Sequence, residues 1–223
     1  MSKKEIIIGI DLGTTTSEAC IYISKSKLKM IRNEDGDDII PSVVGFDDVD
    51  KSISIGEDAI ETNNPIKNIK RIMGKNVKLS LGDNKVTPEE VSAEILKYIK
   101  EYSEESLGEK ISRAVITVPA DFNIKQREAT IKAGEIAGFK VERIITEPTA
   151  AALAYCMESE KEEEFVKVMV YDLGGGTFDV SIGEFNNDGI LEILGGSGDN
   201  ELGGEDFDRF LCDYICDEFQ KQH

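Results

Sequence analysis

Two stretches, Asp11-Leu12-Gly13-Thr14-Thr15 and Asp172-Leu173-Gly174-Gly175-Gly176-Thr177-Phe178-Asp179, are written on one plan. Each follows an apolar run, Ile7-Ile8-Gly9-Ile10 or Met169-Val170-Tyr171, and each leads into a second run of strand character. Short apolar runs broken by a glycine turn predict strands joined as hairpins. Asp11 and Asp172 stand 161 residues apart, too far for a solenoid period. The pattern reads as one sheet unit used twice, with two equivalent turns facing each other across a cleft. Glycine lets backbone N–H groups approach an anion closely, and Thr14, Thr15 and Thr177 add hydroxyl donors. Phosphate suits both turns. Yet each turn begins with a carboxylate, and Asp179 lies two residues past Thr177. Carboxylates repel phosphate unless a hard cation lies between them, and Mg²⁺ bridges one or two carboxylates to substrate phosphates. The expectation is a Mg²⁺-nucleotide held between two hairpins. A single Asp-Leu-Gly step is often no more than a tight turn after a strand. Two matching steps, both rich in Gly and Thr, argue for a site.

Outward from these turns, periodicity alternates between strand and helix. Strands are expected at 6–10, 18–23, 28–31, 42–46 and 52–55, followed by a short basic helix at 65–73. Residues 77–81 and 86 flank a turn at Gly82-Asp83-Asn84. A long amphipathic helix opens with Thr87 as N-cap, Pro88 in its first turn and Glu90 closing a capping box, and runs to Gly108. Strand 114–118, helix 124–137, strand 141–145 and helix 148–157 follow. Strands 166–171, 178–184 and 190–194 and a helix at 205–219 complete the chain. Hairpins first and strand–helix alternation later imply an α/β chain, mixed β-sheets flanked by helices. Gly195-Gly196-Ser197-Gly198 ends a strand without a Lys and reads as a turn or bulge. The run 158–164, nearly all charged, is expected to be solvated. Neither a G-x-x-x-x-G-K-[ST] nor a G-x-G-x-x-G pattern occurs.

Composition removes whole classes of function. The 223 residues carry 44 acids against 26 bases, a net charge of −18, which disfavours nucleic acid or membrane as a partner through bulk electrostatics. The sole histidine, His223, excludes a Ser-His-Asp triad, a Cys-His pair and any site with two His ligands from this chain. The apolar run at 6–10 is too short for a signal-peptide core or a bilayer span, so a cytoplasmic location is expected. Cys20, Cys156, Cys212 and Cys216 are expected to be reduced, semi-buried thiols.

The two turns resemble the phosphate motifs of the actin-like ATPase superfamily, whose fold is ribonuclease H-like. Further strings narrow the resemblance to the DnaK-type, seventy-kilodalton heat-shock chaperones. They are Lys70-Arg71 before Met73-Gly74, Ala114-Val115-Ile116-Thr117-Val118-Pro119-Ala120, Ile136-Ala137-Gly138, Glu147-Pro148-Thr149-Ala150-Ala151-Ala152-Leu153-Ala154-Tyr155 and Leu202-Gly203-Gly204-Glu205-Asp206-Phe207-Asp208. The resemblance covers essentially every residue, in order. It implies lobe I of the nucleotide-binding domain over 1–165, with subdomain IA and a shortened IB. The second phosphate hairpin and the start of lobe II occupy 166–223.

By this resemblance Gly13, Thr14, Thr15, Gly174, Gly175, Gly176 and Thr177 contact phosphates of ATP or ADP. Asp11 and Asp172 hold Mg²⁺ through water. Lys70 orients the attacking water and stabilises the γ-phosphoryl, while Glu147 and Asp179 act on the metal's water shell and the nucleophile. Pro119 and Arg127 relay the nucleotide state to a peptide-binding domain. In-line attack by water needs positioning and charge neutralisation but no histidine. The implied activity is ATP hydrolysis that controls the binding of unfolded client peptides, with a J-domain co-chaperone and a nucleotide exchange factor as partners. Departures are Thr16 for the family's usual Asn, Asp121 for Tyr and Cys156 for Gly. The stretch from Gly74 to Pro88 is also short. The adenine-gripping part of lobe II, the linker and the peptide-binding domain are expected beyond His223. The 223 residues alone are therefore expected to bind nucleotide weakly and hydrolyse it poorly. Phe207, Phe210, Leu211, Tyr214 and Ile215, at helical spacing, are expected to form an unpartnered apolar stripe. An actin-like filament ATPase and a small-molecule kinase are the alternatives on the same fold.

Overall fold

The structure, a computed structural model, describes residues 5–24, 27–158, 165–186 and 190–222. His223, and the charged run 158–164 past its first residue, lie outside them. In chain order the elements are β1 (Ile7–Leu12), β2 (Thr16–Ser24), β3 (Lys27–Met30), β4 (Ile39–Pro41), β5 (Val44–Asp47), β6 (Ser52–Ile55) and α1 (Glu57–Ile60). A 3-10 turn (Ile69–Ile72), β7 (Leu79–Leu81), β8 (Asn84–Val86), α2 (Pro88–Leu107), β9 (Arg113–Val118), α3 (Ile124–Ile136) and β10 (Lys140–Thr146) follow. The last elements are α4 (Glu147–Glu158), β11 (Phe165–Leu173), β12 (Phe178–Asn186), β13 (Leu191–Asp199) and α5 (Gly204–Gln222).

The first sheet runs β10-β9-β1-β2-β3, with β4 paired on β2. Its β1, β9 and β10 are parallel, whereas β2, β3 and β4 join antiparallel. Ile8 and Ile10 of β1 and Ala114, Ile116 and Val118 of β9 alternate onto one face and are wholly buried. They share one buried core with α2, whose Val91, Ile95 and Ile99 recur at helical spacing. Each large side chain so buried stabilises the fold by about 1.5–3 kcal/mol. The capping box predicted for α2 is present. Glu90 N–H donates to Thr87 Oγ1 at 3.3 Å and Thr87 N–H to Glu90 Oε2 at 2.7 Å. Gly108 ends the helix at φ 64°, where a Cβ would strain the backbone.

The second sheet, β11-β12-β13, is a meander, and α4 packs against both sheets. The duplication shows in the register. Asp11 pairs with Glu18 and Leu12 with Ser17 in the first hairpin, and Asp172 with Asp179 and Leu173 with Phe178 in the second. Every one of these positions is displaced by the same 161 residues.

Several expectations need correction. The basic helix at 65–73 is only the 3-10 turn Ile69–Ile72, because Ile66 exchanges both backbone hydrogen bonds with Val44 and is held extended. Gly195–Gly198 does not end its strand. It continues β13, where Gly196 and Gly198 pair with Ser181 and Asp179, and the bulge falls one residue earlier, at Leu194. The short β4 precedes the expected strand at 42–46. Cys212 and Cys216 are exposed on α5, while Cys156 is buried. The α5 stripe is present, with Phe207, Phe210, Leu211, Tyr214 and Ile215 all exposed. No helix among the described residues is long and apolar enough to cross a membrane.

Candidate functional site

The two glycine turns meet. A Cβ built on Gly175 would lie 2.3 Å from Thr15 Cγ2, and one on Gly176 would lie 2.3 Å from Thr14 Cγ2. The expected open cleft between the turns is therefore replaced by direct packing, and only glycine permits it. Gly13 is required for another reason, since a Cβ there would strike Thr16 O at 2.1 Å. Gly174 N–H closes the second turn on Thr177 O at 2.9 Å.

Beside the turns converge the charged residues. Lys70, 4% exposed on the 3-10 turn, donates its Nζ to Glu147 Oε1 at the start of α4. Thr117 Oγ1 of β9 donates to Asp11 Oδ1 at 2.6 Å. Burial pushes the Glu147 carboxyl up to about 7; the nearby Asp11 and Asp172 charges add to the shift and Lys70 opposes it. Burial, reinforced by Asp11, also raises Asp172. Asp179 is raised by burial and then by Asp121, with the Ala120 N–H opposing. Three carboxylates thus crowd one lysine, a donor set short of positive charge. Of the buried oxygens here, Thr14 Oγ1 and Asp179 Oδ1 have no hydrogen-bond partner among the described residues. Such orphans are costly unless something completes them. A cavity of about 390 Å³ opens beside Asp11, Glu147 and Asp172. Another of about 380 Å³ is lined by Lys70, Arg71, Asp121 and Thr177.

Pro119 and Arg127 are also brought together. Arg127 at the start of α3 donates from Nε to Phe122 O at 2.8 Å and from Nη2 to Ala120 O at 3.0 Å. Pro119 O accepts from Phe122 N–H at 3.2 Å. Arg127 therefore braces the turn whose Ala120 N–H meets the Asp179 carboxylate. Asp121 lies on that turn and places a further negative charge near Asp179.

Sequence reasoning gave no role to Thr117, Arg71, Gly203 or Asp206. Arg71 donates to Gly176 O, at 3.1 Å from Nε and 2.9 Å from Nη2, and forms an ion pair with Asp206. A Cβ on Gly203 would stand 2.4 Å from Gly175 C and Gly176 N. The second turn is thus layered between Thr14–Thr15 and the start of α5. Lys70-Arg71 and the string at 202–208 were visible as motifs, but nothing in them reveals that they touch.

A family model described as Hsp70 protein matches residues 7–223. The chaperone protein DnaK of Thermosipho melanesiensis is 50% identical over 227 residues, covering 100% of this chain and 37% of the relative. That of Thermosipho africanus is 49% identical with the same coverage, and that of Thermotoga neapolitana is 49% identical over 99% of this chain. The chain spans 37% of the length of these relatives. Neither the filament nor the kinase alternative is favoured. Two hairpins in one register, a buried lysine among carboxylates and a family match over nearly every residue agree, and the chain belongs to the Hsp70 family.

Proposed function

We propose that the two hairpins form the phosphate-binding half of a Mg²⁺-dependent ATP site in a chaperone. The observation that carries this reading is the convergence of Lys70, Asp11, Glu147 and Asp172 beside the orphaned Thr14 Oγ1 of the first turn and Asp179 Oδ1 of β12. Gly13, Thr14, Thr15, Gly174, Gly175, Gly176 and Thr177 hold the phosphates of ATP or ADP, and the idle Thr14 hydroxyl is completed there. Asp11 and Asp172 would hold Mg²⁺, with Thr117 orienting Asp11. Bound Mg²⁺ supplies the positive charge that lets these carboxylates face a polyphosphate. Lys70, held by Glu147, neutralises charge that develops on the γ-phosphoryl. Glu147 and Asp179 orient the attacking water.

Residues 1–165 act as lobe I and 166–223 as the beginning of lobe II. Pro119 and Arg127 carry the state of the site outward, since they brace the backbone that touches Asp179. In the whole protein, located in the cytoplasm, hydrolysis controls the grip on unfolded client peptides. A J-domain co-chaperone and a nucleotide exchange factor regulate that cycle.

Calorimetric titration with ATP, with and without Mg²⁺, tests the site. Wild-type protein should bind in a Mg²⁺-dependent way, and Asp172→Ala should weaken that binding while circular dichroism stays unchanged. Equal affinity in the variant, or affinity indifferent to Mg²⁺, would exclude the assignment.

A further inference from the structure

Lys70 and Arg71 are consecutive on the 3-10 turn but serve different neighbours. Lys70 points to Glu147, whereas Arg71 turns its guanidinium to the second glycine turn and α5. Nε and Nη2 both donate to Gly176 O, and Nη1 reaches Asp206 Oδ1 at 3.3 Å while Nη2 also meets Oδ2. Asp206, 2% exposed, accepts in addition the Gly203 N–H at 2.9 Å. Three residues before Arg71 and one before Asp206 the join is repeated, where Asn68 Nδ2 donates to Glu205 Oε2.

The backbone completes the pattern. Gly204 N–H donates to Gly174 O and Glu205 N–H to Gly175 O, each at 3.0 Å. Three successive carbonyls of the turn, those of Gly174, Gly175 and Gly176, are therefore captured by the start of α5 and by Arg71. In a planar trans peptide the carbonyl of one residue and the N–H of the next point in opposite directions. Fixing those three oxygens turns the N–H groups of Gly175 and Gly176 away from the start of α5 and that of Thr177 away from Arg71. The planar guanidinium presents donors in fixed directions to one carbonyl and to both oxygens of one carboxylate. A lysine, a compact ammonium on a flexible stem, can reach both but lacks the fixed fork that sets their relative direction.

We propose that Arg71 is a positioning residue of the phosphate site. Clamped by Asp206, it fixes the Gly176 carbonyl, aims the amides of the second turn and sets that turn against the segment bearing Lys70. This deepens the ATP-site reading and rests on it, but the clamp itself is testable without nucleotide.

The test uses Arg71→Met, Arg71→Lys and Asp206→Asn in the full natural chain. In nucleotide-free protein, ¹H–¹⁵N spectra should show the amides of Gly175, Gly176 and Thr177 shifted in all three variants. MgATP affinity should fall by about tenfold or more in Arg71→Met, the scale of lost charge-assisted hydrogen bonds. Single-turnover hydrolysis at saturating ATP should fall as well, because the turn no longer faces Lys70 in register. Arg71→Lys should recover only part of either loss, and Arg71→Met with Asp206→Asn should be non-additive. Unchanged amide shifts overturn the clamp. A lower melting temperature with wild-type affinity and turnover assigns Arg71 to stability alone and also overturns it. Wild-type protein that fails to bind MgATP instead overturns the functional reading, and the amide shifts alone then decide whether the clamp exists.

Discussion

Lys70 Nζ donates to Glu147 Oε1 across 77 residues of sequence, and the two side chains are 5% and 12% exposed. The pair ties the 3-10 turn to the start of α4 and sets a buried positive charge near Asp172 as well as Glu147.

Lys70→Ala should therefore damage turnover far more than binding, since a positioned cation acts on charge developing in the transition state. Loss of one such contact commonly costs about a hundredfold or more in rate. Single-turnover hydrolysis set against calorimetric ATP affinity measures the split. Near wild-type hydrolysis would reduce the ion pair to a structural link.

Gly203→Ala should be damaging although no nucleotide contact is assigned to it. Its Cβ would stand 2.4 Å from the backbone of Gly175 and Gly176, which cannot yield without moving the second turn. Such overpacking costs about 1–3 kcal/mol. Gly174→Ala is the contrast, because its Cβ would meet Thr177 O at an ordinary 3.5 Å. Urea melts of the two variants in nucleotide-free protein should separate, with only Gly203→Ala destabilised. Equal behaviour would contradict the layering.

On the far edge of the first sheet, Arg113 Nε of β9 donates to Glu142 Oε1 of β10 at 2.7 Å. That bond, with a second from Lys140, holds the Glu142 carboxyl down to about 2. The folded value lies below the unfolded one, so this stabilisation is present above the ordinary carboxylate range. It is lost as pH falls toward about 2. Glu142→Gln should be less stable than wild type at neutral pH, and the gap should close on acidification. Thermal melts across that window check it; a gap independent of pH would mean that the carboxylate charge is idle.

Much of this molecule was legible from local chemistry. The capping box of Thr87 and Glu90 needs only residues three apart. The hairpins need only apolar runs broken by glycine, and the shared plan of Asp11–Thr15 and Asp172–Thr177 survives as one register. Readings failed where distant partners overrode local preference. Ile66 is extended because Val44 holds its backbone, and Gly196 and Gly198 belong to β13 because β12 approaches too closely for side chains.

The sequence by itself determined the alternation of elements, the duplicated turns and the chemical types present, because these depend on spacing within a few residues and on side-chain identity. Only the tertiary structure decided that the turns touch, that Lys70 serves Glu147 while Arg71 serves Gly176 and Asp206, and that Thr117 orients Asp11. Those contacts join residues from 77 to 162 positions apart. Their geometry comes from how two sheets and α4 pack, which no local pattern encodes.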